Sequence, residues 1–407
     1  MSLFKNPFTA LMTVPAAIAI ALGVMAVPIG LADPLISALR PDWPLDPKAA
    51  ESLLSTIAAS AMTALTLAYS LTLVVFTLAA GNIGPRLLKR FSTERANQVT
   101  AGLLGGTFLF ALITLGAVTE SNTPQIGTFI ALLLGVASVV QLIYFVRHVS
   151  QSVSVDDEVA EVSGRLRDDL TSLCEKVADL SSLPTDSDFK PVLRAHQAGY
   201  VSEADIRRLV DLARTSDTVL RIDPRVGDYV LKGTPLLSAT SDLAEDATET
   251  QHVLVPIEPA RSDGGTAEFS ISLLVEIALR ALSPGVNDTF SALAVADMLS
   301  GALAEVVDVP TGPAVIRDGE DKIRLILPGV ELNELFGKAF HPLRRASHDN
   351  ILMAQGLAKA YARLHAIGND KAQGVIEKHA RLLVDELKGA DHLPHDIDHI
   401  NELMPFI

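Results

Sequence analysis

The chain has 407 residues, 49% of them hydrophobic, and its mean hydropathy of +0.33 is high for a water-soluble protein. Its net charge of −15 at pH 7 argues against nucleic acid as a partner, because phosphate binding requires clustered Lys and Arg. The single cysteine, Cys174, excludes an intrachain disulfide framework and a zinc site built from cysteines.

Charge divides the sequence into two parts. The first 150 residues contain eight of the 33 basic residues and six of the 48 acidic residues, so 25 basic and 42 acidic residues follow. The first part is therefore nearly neutral, whereas the second is acidic and typical of a domain in water. We expect an α-helical polytopic membrane domain over residues 1–150, followed by an α+β cytosolic domain.

Four apolar stretches in the first part are long enough to cross a bilayer, which takes about 20 residues. Soluble helices of this length carry a charged face, and these stretches do not. The first is too long for the apolar region of a typical signal peptide and contains Pro15 and Pro28, so we expect it to remain as a transmembrane helix. The predicted transmembrane helices cover residues 8–31, 53–80, 101–118 and 126–146.

Basic residues between the second and third stretches predict the orientation. They place this segment on the cytoplasmic side, and with it both termini, in a bacterial cytoplasmic (inner) membrane. The same residues form a candidate collar that attracts anions or anionic lipid headgroups, although topology alone also requires them. This basic collar consists of Arg86, Lys89, Arg90 and Arg95.

Hydroxyl side chains recur in the second stretch. Their spacing places them on one face of a helix with 3.6 residues per turn. Such a face can line a pore, where hydroxyl groups replace part of an ion's hydration shell, or it can pack against other helices. The two interpretations are compatible. The residues of this hydroxyl face are Ser52, Ser55, Thr63, Thr66, Ser70 and Thr77.

Small residues four positions apart, such as Gly102 and Gly106, or Ala131 and Gly135, are typical of tight helix contacts within or between chains. None of the four stretches keeps an Asp, Glu, Lys or His near its middle. This argues against a proton- or sodium-coupled transporter. Passive conduction and simple anchoring remain.

The second part begins with an amphipathic helix and a linker over residues 151–183. A small strand–helix–hairpin subdomain is expected over 184–262, with Ser202 as the helix N-cap. Its segment VGDYVLKGTPLL is similar to a hairpin of biotinyl- or lipoyl-type barrels, but it lacks their modified lysine turn, so we expect a structural hairpin. A mainly helical domain follows over 263–407, with a strand at KIRLIL.

The segment ALRALSPGVNDTFSAL predicts two helices broken by a turn, with Asn287 and Asp288 placed to cap the second helix. The polar residues of this turn could instead be catalytic. The turn, which we call the signature turn, consists of Ser283, Pro284, Gly285, Asn287 and Asp288.

This segment resembles the ALSPGINDPFTA-type signature of a bacterial family of predicted membrane proteins of unknown function. The resemblance extends to SLTLVVFTLAAGNIGPRLLKRFSTERANQ, and to AGYVSEADIRRLVDLA with RVGDYVLKGTPL. Thr289 stands where the family usually has proline. The resemblance implies four transmembrane helices and a cytosolic domain, and it supplies no activity.

The sequence lacks a nucleophile elbow, a Walker loop, a dinucleotide-binding turn and an HExxH zinc motif, so we expect neither an enzyme nor a cofactor. The tail DHLPHDIDH offers a weak metal candidate in His392, His395 and His399, but it also fits the polar start of a helix.

Two functions fit these features. The favoured one is a homo-oligomeric channel or channel-like protein that conducts ions and carries a cytosolic regulatory domain. The alternative is a membrane-anchored binding or regulatory protein that recruits a cytosolic protein partner without conduction. A membrane-associated hydrolase ranks last.

Overall fold

The computed structural model describes residues 7–37, 46–82, 95–120, 123–151, 155–174, 183–243, 254–261, 266–309 and 312–407. The chain divides into two compact units, Met1–Ser154 and Val155–Ile407. This division lies within a few residues of the junction that the charge distribution predicts.

The described residues of the first unit form four long helices, one for each predicted apolar stretch. Its central helix, α3, contacts the other three. At 1.5 Å per residue, even the 22 residues of α3 extend about 33 Å, enough to cross the hydrocarbon core of a bilayer. The helices are α1 (Pro7–Ser37), α2 (Pro47–Asn82), α3 (Arg95–Gly116) and α4 (Gln125–Gln151).

Glycines allow α1 and α3 to approach closely. A Cβ atom on Gly102 would lie 2.7 Å from Cβ of Ile18, and one on Gly106 would lie 2.4 Å from Cδ1 of Leu22. Neither distance leaves room for a methyl group. Gly102 and Gly106, two of the small residues predicted to form tight contacts, therefore do so within the chain.

Polar contacts connect the helices of this unit. Thr107 Oγ1 and Ser138 Oγ share a buried hydrogen bond of 2.9 Å between α3 and α4. At the end of α1, Asp33 Oδ2 accepts hydrogen bonds from the backbone N–H groups of Ile126 (3.0 Å) and Gly127 (3.3 Å). Asp33 thus satisfies free N–H groups at the start of α4.

The second unit mixes helices and strands. Its helices are α5 (Val155–Cys174), α6 (Ile206–Thr215), α7 (Ala267–Ala281), α8 (Thr289–Leu303), α9 (Leu332–Ala346), α10 (Ile351–Ile367), α11 (Asp370–Lys388) and α12 (Pro394–Leu403). Its strands are β1 (Lys190–Arg194), β2 (Gly199–Val201), β3 (Leu220–Ile222), β4 (Tyr229–Val230), β5 (Pro235–Ala239), β6 (Ile257–Glu258), β7 (Ala314–Arg317) and β8 (Ile323–Leu327). The coarse prediction of apolar helices followed by a mixed α/β part is confirmed.

The strands that the structure describes form two sheets. A five-stranded sheet has the order β1-β5-β3-β8-β7, and a three-stranded sheet has the order β4-β2-β6. Among the described strands, β3 and β8 are the only pair that runs parallel. Since β8 and β7 follow α8 in sequence, the predicted boundary between residues 262 and 263 runs through a unit whose larger sheet takes strands from both sides.

The predicted hairpin at VGDYVLKGTPLL is wrong. Its two halves are β4 and β5, which belong to different sheets and do not pair. The turn between them contains Gly233 at φ +92°, a backbone conformation that glycine adopts without strain. Instead, β5 pairs antiparallel with β3, with Ile222 opposite Leu237.

Ser202 is not the helix cap. Backbone N–H groups of Ser202 and Asp205 donate to the carbonyls of Pro256 (2.9 Å) and Leu254 (3.0 Å), so these groups bond outside the helix. Asp205 then caps α6, and its carboxylate accepts from the N–H of Arg208 at 3.2 Å. The helix consequently starts three residues later than capping by Ser202 would place it.

Five helical segments among the described residues are long and apolar enough to cross a membrane. Four coincide with α1–α4, with mean hydropathies of 1.8 to 2.5. The fifth, Thr289–Val306 in the second unit, has a mean hydropathy of 1.3. It comprises α8 and the turn after it, and α8 contacts α5, α7 and α10.

Candidate functional site

The hydroxyl face of α2 points away from the rest of its own unit. All six of its residues are exposed in the single chain. The buried residues of α2 include Leu54, Ala58 and Ala61. Residues two positions apart differ by about 200° around a helix, so Ser52 and Leu54 lie on nearly opposite sides. The face therefore does not pack within this chain.

Hydroxyl hydrogens on this face bond to the helix itself. Thr63 Oγ1 donates to the carbonyl of Ala59 at 2.8 Å, and Thr66 Oγ1 donates to that of Met62 at 3.0 Å. A hydroxyl group that donates in this way keeps two acceptor lone pairs. These threonines thus present oxygen acceptors to the outside, and their own donors are already satisfied.

Three residues of the basic collar, Arg86, Lys89 and Arg90, lie outside the described residues. The fourth, Arg95, is exposed in the first turn of α3. A cation there is disfavoured by the helix dipole, so the position is not explained by helix stability.

The signature turn uses its polar groups to build the start of α8. Asp288 accepts hydrogen bonds from the backbone N–H (3.1 Å) and the hydroxyl (2.6 Å) of Ser291, and these bonds lower the pKa of its carboxyl group. Asn287 adopts a left-handed conformation at φ +51°. The hydroxyl of Ser283 donates to the carbonyl of Arg280 at 2.6 Å. Capping of α8 by Asp288 is confirmed. Asn287 does not cap the helix but forms part of the turn between α7 and α8.

Two apolar side chains at this turn are exposed, which the sequence did not predict. Val286 and Phe290 are exposed, and Phe290 retains 76% of its accessible surface. Sequence alone offers no sign of this exposure, because α8 is apolar along its length.

The three histidines of the tail do not assemble a metal site. A ring nitrogen of His392 lies 2.6 Å from the carbonyl oxygen of His348, whereas His399 lies 3.5 Å from Glu402, a neighbour on α12. His395 is exposed. Within the described part of the chain, no group of three or more His, Cys, Asp or Glu residues is arranged to hold a metal.

An ionic network that the sequence did not predict connects the loop after β3 with α7 and α9. Arg225 contacts Glu268 at 3.4 Å and Glu334 at 2.7 Å, and its Nε donates to the carbonyl of Gly329 at 2.9 Å. Lys338 also pairs with Glu268, whose side chain is 5% exposed. Two cations and two carboxylates therefore balance one another.

A cavity of about 420 Å³ lies beside this network, within the second unit. Its lining comes from both sheets, from α5 and α7, and from connecting loops. The charged side chains that line it are Asp169, Glu203, Arg225 and Glu268, and the apolar ones include Val201, Ile206, Ile222, Val255, Leu327 and Val330. Burial raises the pKa of Asp169, although a hydrogen bond from Ser270 at 3.4 Å opposes the shift.

Comparisons with known proteins identify relatives without an assigned activity. Three uncharacterized proteins, one from Mycobacterium bovis and two from Mycobacterium tuberculosis, are each 27% identical to this chain over 303 residues. The alignments cover 69% of this chain and 57% of each relative, so the chain matches little more than half of their length. No solved structure matches. The profile of the family described as "Predicted membrane protein (DUF2254)" matches residues 5–363, and the chain therefore belongs to this family.

Proposed function

We propose that this chain is a multi-pass protein of the bacterial cytoplasmic membrane that assembles into a homo-oligomeric channel or channel-like protein. In this proposal the hydroxyl faces of several α2 helices surround a shared path, and the second unit is a cytosolic regulatory domain. The proposal involves no catalytic step.

Four helices cross the membrane in this proposal. Helix α8 does not, because its 15 residues extend about 22 Å and it packs against α5, α7 and α10 within the second unit. The basic residues between α2 and α3 support an orientation with both termini in the cytoplasm.

The observation that carries the proposal is the outward direction of the hydroxyl face. It is exposed in the single chain and lies nearly opposite the packing surface of α2. Oxygen acceptors suit a cation that has lost part of its hydration shell. Residues 52–78 contain no Asp, Glu, Lys or Arg, so no charged side chain of this segment would hold the cation.

The test is the conductance of the full-length protein in planar bilayers, with valine in place of Thr63 and Thr66. Valine keeps the shape of threonine and removes the oxygen. Each oxygen contact worth about 1 kcal/mol to a passing ion would change the rate about fivefold, so the double variant should conduct several-fold less than wild type.

Thr72→Val is the matched control. Thr72 is on the buried side of α2, and its hydroxyl donates to the carbonyl of Ala68 at 2.8 Å. Equal conductance of the double variant and this control would contradict a pore lined by the hydroxyl face, and a silent wild-type protein would contradict conduction itself.

The second candidate is a membrane-anchored binding protein. It is favoured by the exposed Val286 and Phe290 at the signature turn, since an exposed aromatic side chain can anchor a protein partner. In that case α1–α4 act as an anchor, and the reconstituted protein carries no current.

A further inference from the structure

The cavity of the second unit has the size and lining of a small-molecule site. Its volume of about 420 Å³ falls among ligand pockets, which range over about 300–1,000 Å³. Most of its lining is apolar, with a few charged groups. An apolar body would be enclosed by side chains such as Ile222, Val255 and Leu327, and the charged groups would fix its orientation.

The charges select the type of ligand. Arg225 is the only basic residue that lines the cavity within the described part of the chain, and it already contacts Glu268, Glu334 and the carbonyl of Gly329. Lys338 supplies a second cation to Glu268. The network is thus neutral, and the remaining lining charges are the carboxylates of Asp169 and Glu203.

Asp169 is half-buried, and its side chain receives a long hydrogen bond of 3.4 Å from Ser270. The charge of Arg165 on the same helix offsets its burial only in part, since the pKa of Asp169 stays raised. A charged carboxylate in such a place is costly unless a cation or several donors stabilise it. Glu203 is exposed and lines the cavity in the segment just before α6. The two carboxylates give the cavity a net preference for positive charge.

We propose that this cavity binds a small organic cation, an amine or ammonium group attached to an apolar body, whose positive group lies against Asp169 and Glu203. This inference does not depend on conduction, because binding is measured directly on the full-length protein in detergent.

The test uses three probes of similar shape: phenethylammonium, neutral 2-phenylethanol and anionic 3-phenylpropionate. Titration calorimetry should detect binding of the cation and much weaker binding of the other two. Asp169→Asn combined with Glu203→Gln should weaken cation binding about tenfold or more, because the cation loses at least one charge-assisted contact.

The control variant combines Asp156→Asn with Asp211→Asn. It removes the same charge from two exposed positions of α5 and α6 outside the cavity lining, and it should bind the cation as wild type does.

If the cavity variant does not fold, Glu203→Gln replaces it in the test, because this side chain is exposed and its substitution should not disturb the fold. This single variant should still weaken cation binding measurably. The proposal is overturned by equal or tighter binding of the neutral or anionic probe, by unchanged affinity in the cavity variants, or by no cation binding at all.

Discussion

His379 lies in the core formed by α9, α10 and α11 and is 1% exposed. Its ring lies 4.6 Å from that of His341 between centroids, with Phe336, Phe340 and Tyr361 around it, and its Nδ1 has no hydrogen-bond partner. Burial, reinforced by His341, Lys378 and Arg344, lowers the pKa of His379 to about 4. The core therefore holds this imidazole in its neutral form at pH 7.

This residue predicts a loss of stability in mild acid. The unfolded chain takes up a proton at His379 near pH 6.5, whereas the folded chain does so only near pH 4. Protonation thus favours the unfolded state as pH falls between these values, by up to about 3 kcal/mol. His379→Leu should remove most of this dependence, as measured by thermal unfolding at pH 7.5 and pH 5. His395→Gln, at an exposed site, should leave it unchanged. A steep acid dependence that persists in His379→Leu would refute this assignment.

At this scale, local chemistry was predictable and long-range contacts were not. Asp288 was identified as a cap because its own turn determines the geometry. Ser202 was not excluded as a cap, because the backbone bonds of its segment go to residues more than 40 positions away. Arg225 and Glu268 look like ordinary surface charges in a sequence, and only folding brings them together.

Among the contacts between helices, the one between α1 and α3 requires glycine at specific positions of α3. Gly106 faces Leu22 with no space for a Cβ atom, so Gly106→Ala must separate the two helices or distort the leucine. Overpacking of this kind costs about 1–3 kcal/mol, and we expect a corresponding fall in the unfolding free energy of the detergent-solubilised protein.

Gly30→Ala is the control for this prediction. Gly30 lies in α1, and a Cβ atom added to it would meet no neighbouring element within 4 Å. Alanine also favours a helix over glycine. This variant should be as stable as wild type or more stable. Equal stability of Gly106→Ala and Gly30→Ala would show that α1 and α3 do not meet at these residues.

Long helices were predicted well, and short strands were not. The apolar length required by lipid identifies α1–α4 without any tertiary information. Strands β4 and β6 have two residues each and exist only because both pair with β2. Their pattern in the sequence is too short to show a period. The cavity was not predictable from the sequence either, because residues between 169 and 330 line it and only folding brings them together.

For the whole molecule, composition predicted the division into two units, because lipid and water impose opposite demands on charge. The order of the larger sheet was not predictable, since β3 and β8 are about 100 residues apart and pair through the fold alone. The proposed assembly depends on one surface at this scale, the hydroxyl face of α2, which the single chain leaves exposed.

The most direct test of the proposed assembly is the accessibility of cysteines on adjacent positions of α2. In a Cys174→Ser background, Thr66→Cys lies on the hydroxyl face, and Leu67→Cys lies at the same depth about 100° around the helix. A charged thiol reagent added from the aqueous side should modify Thr66→Cys and reduce the current through the reconstituted protein, and Leu67→Cys should remain unmodified in lipid. Modification of Leu67→Cys alone, or an unreactive Thr66→Cys with unchanged current, would contradict the account.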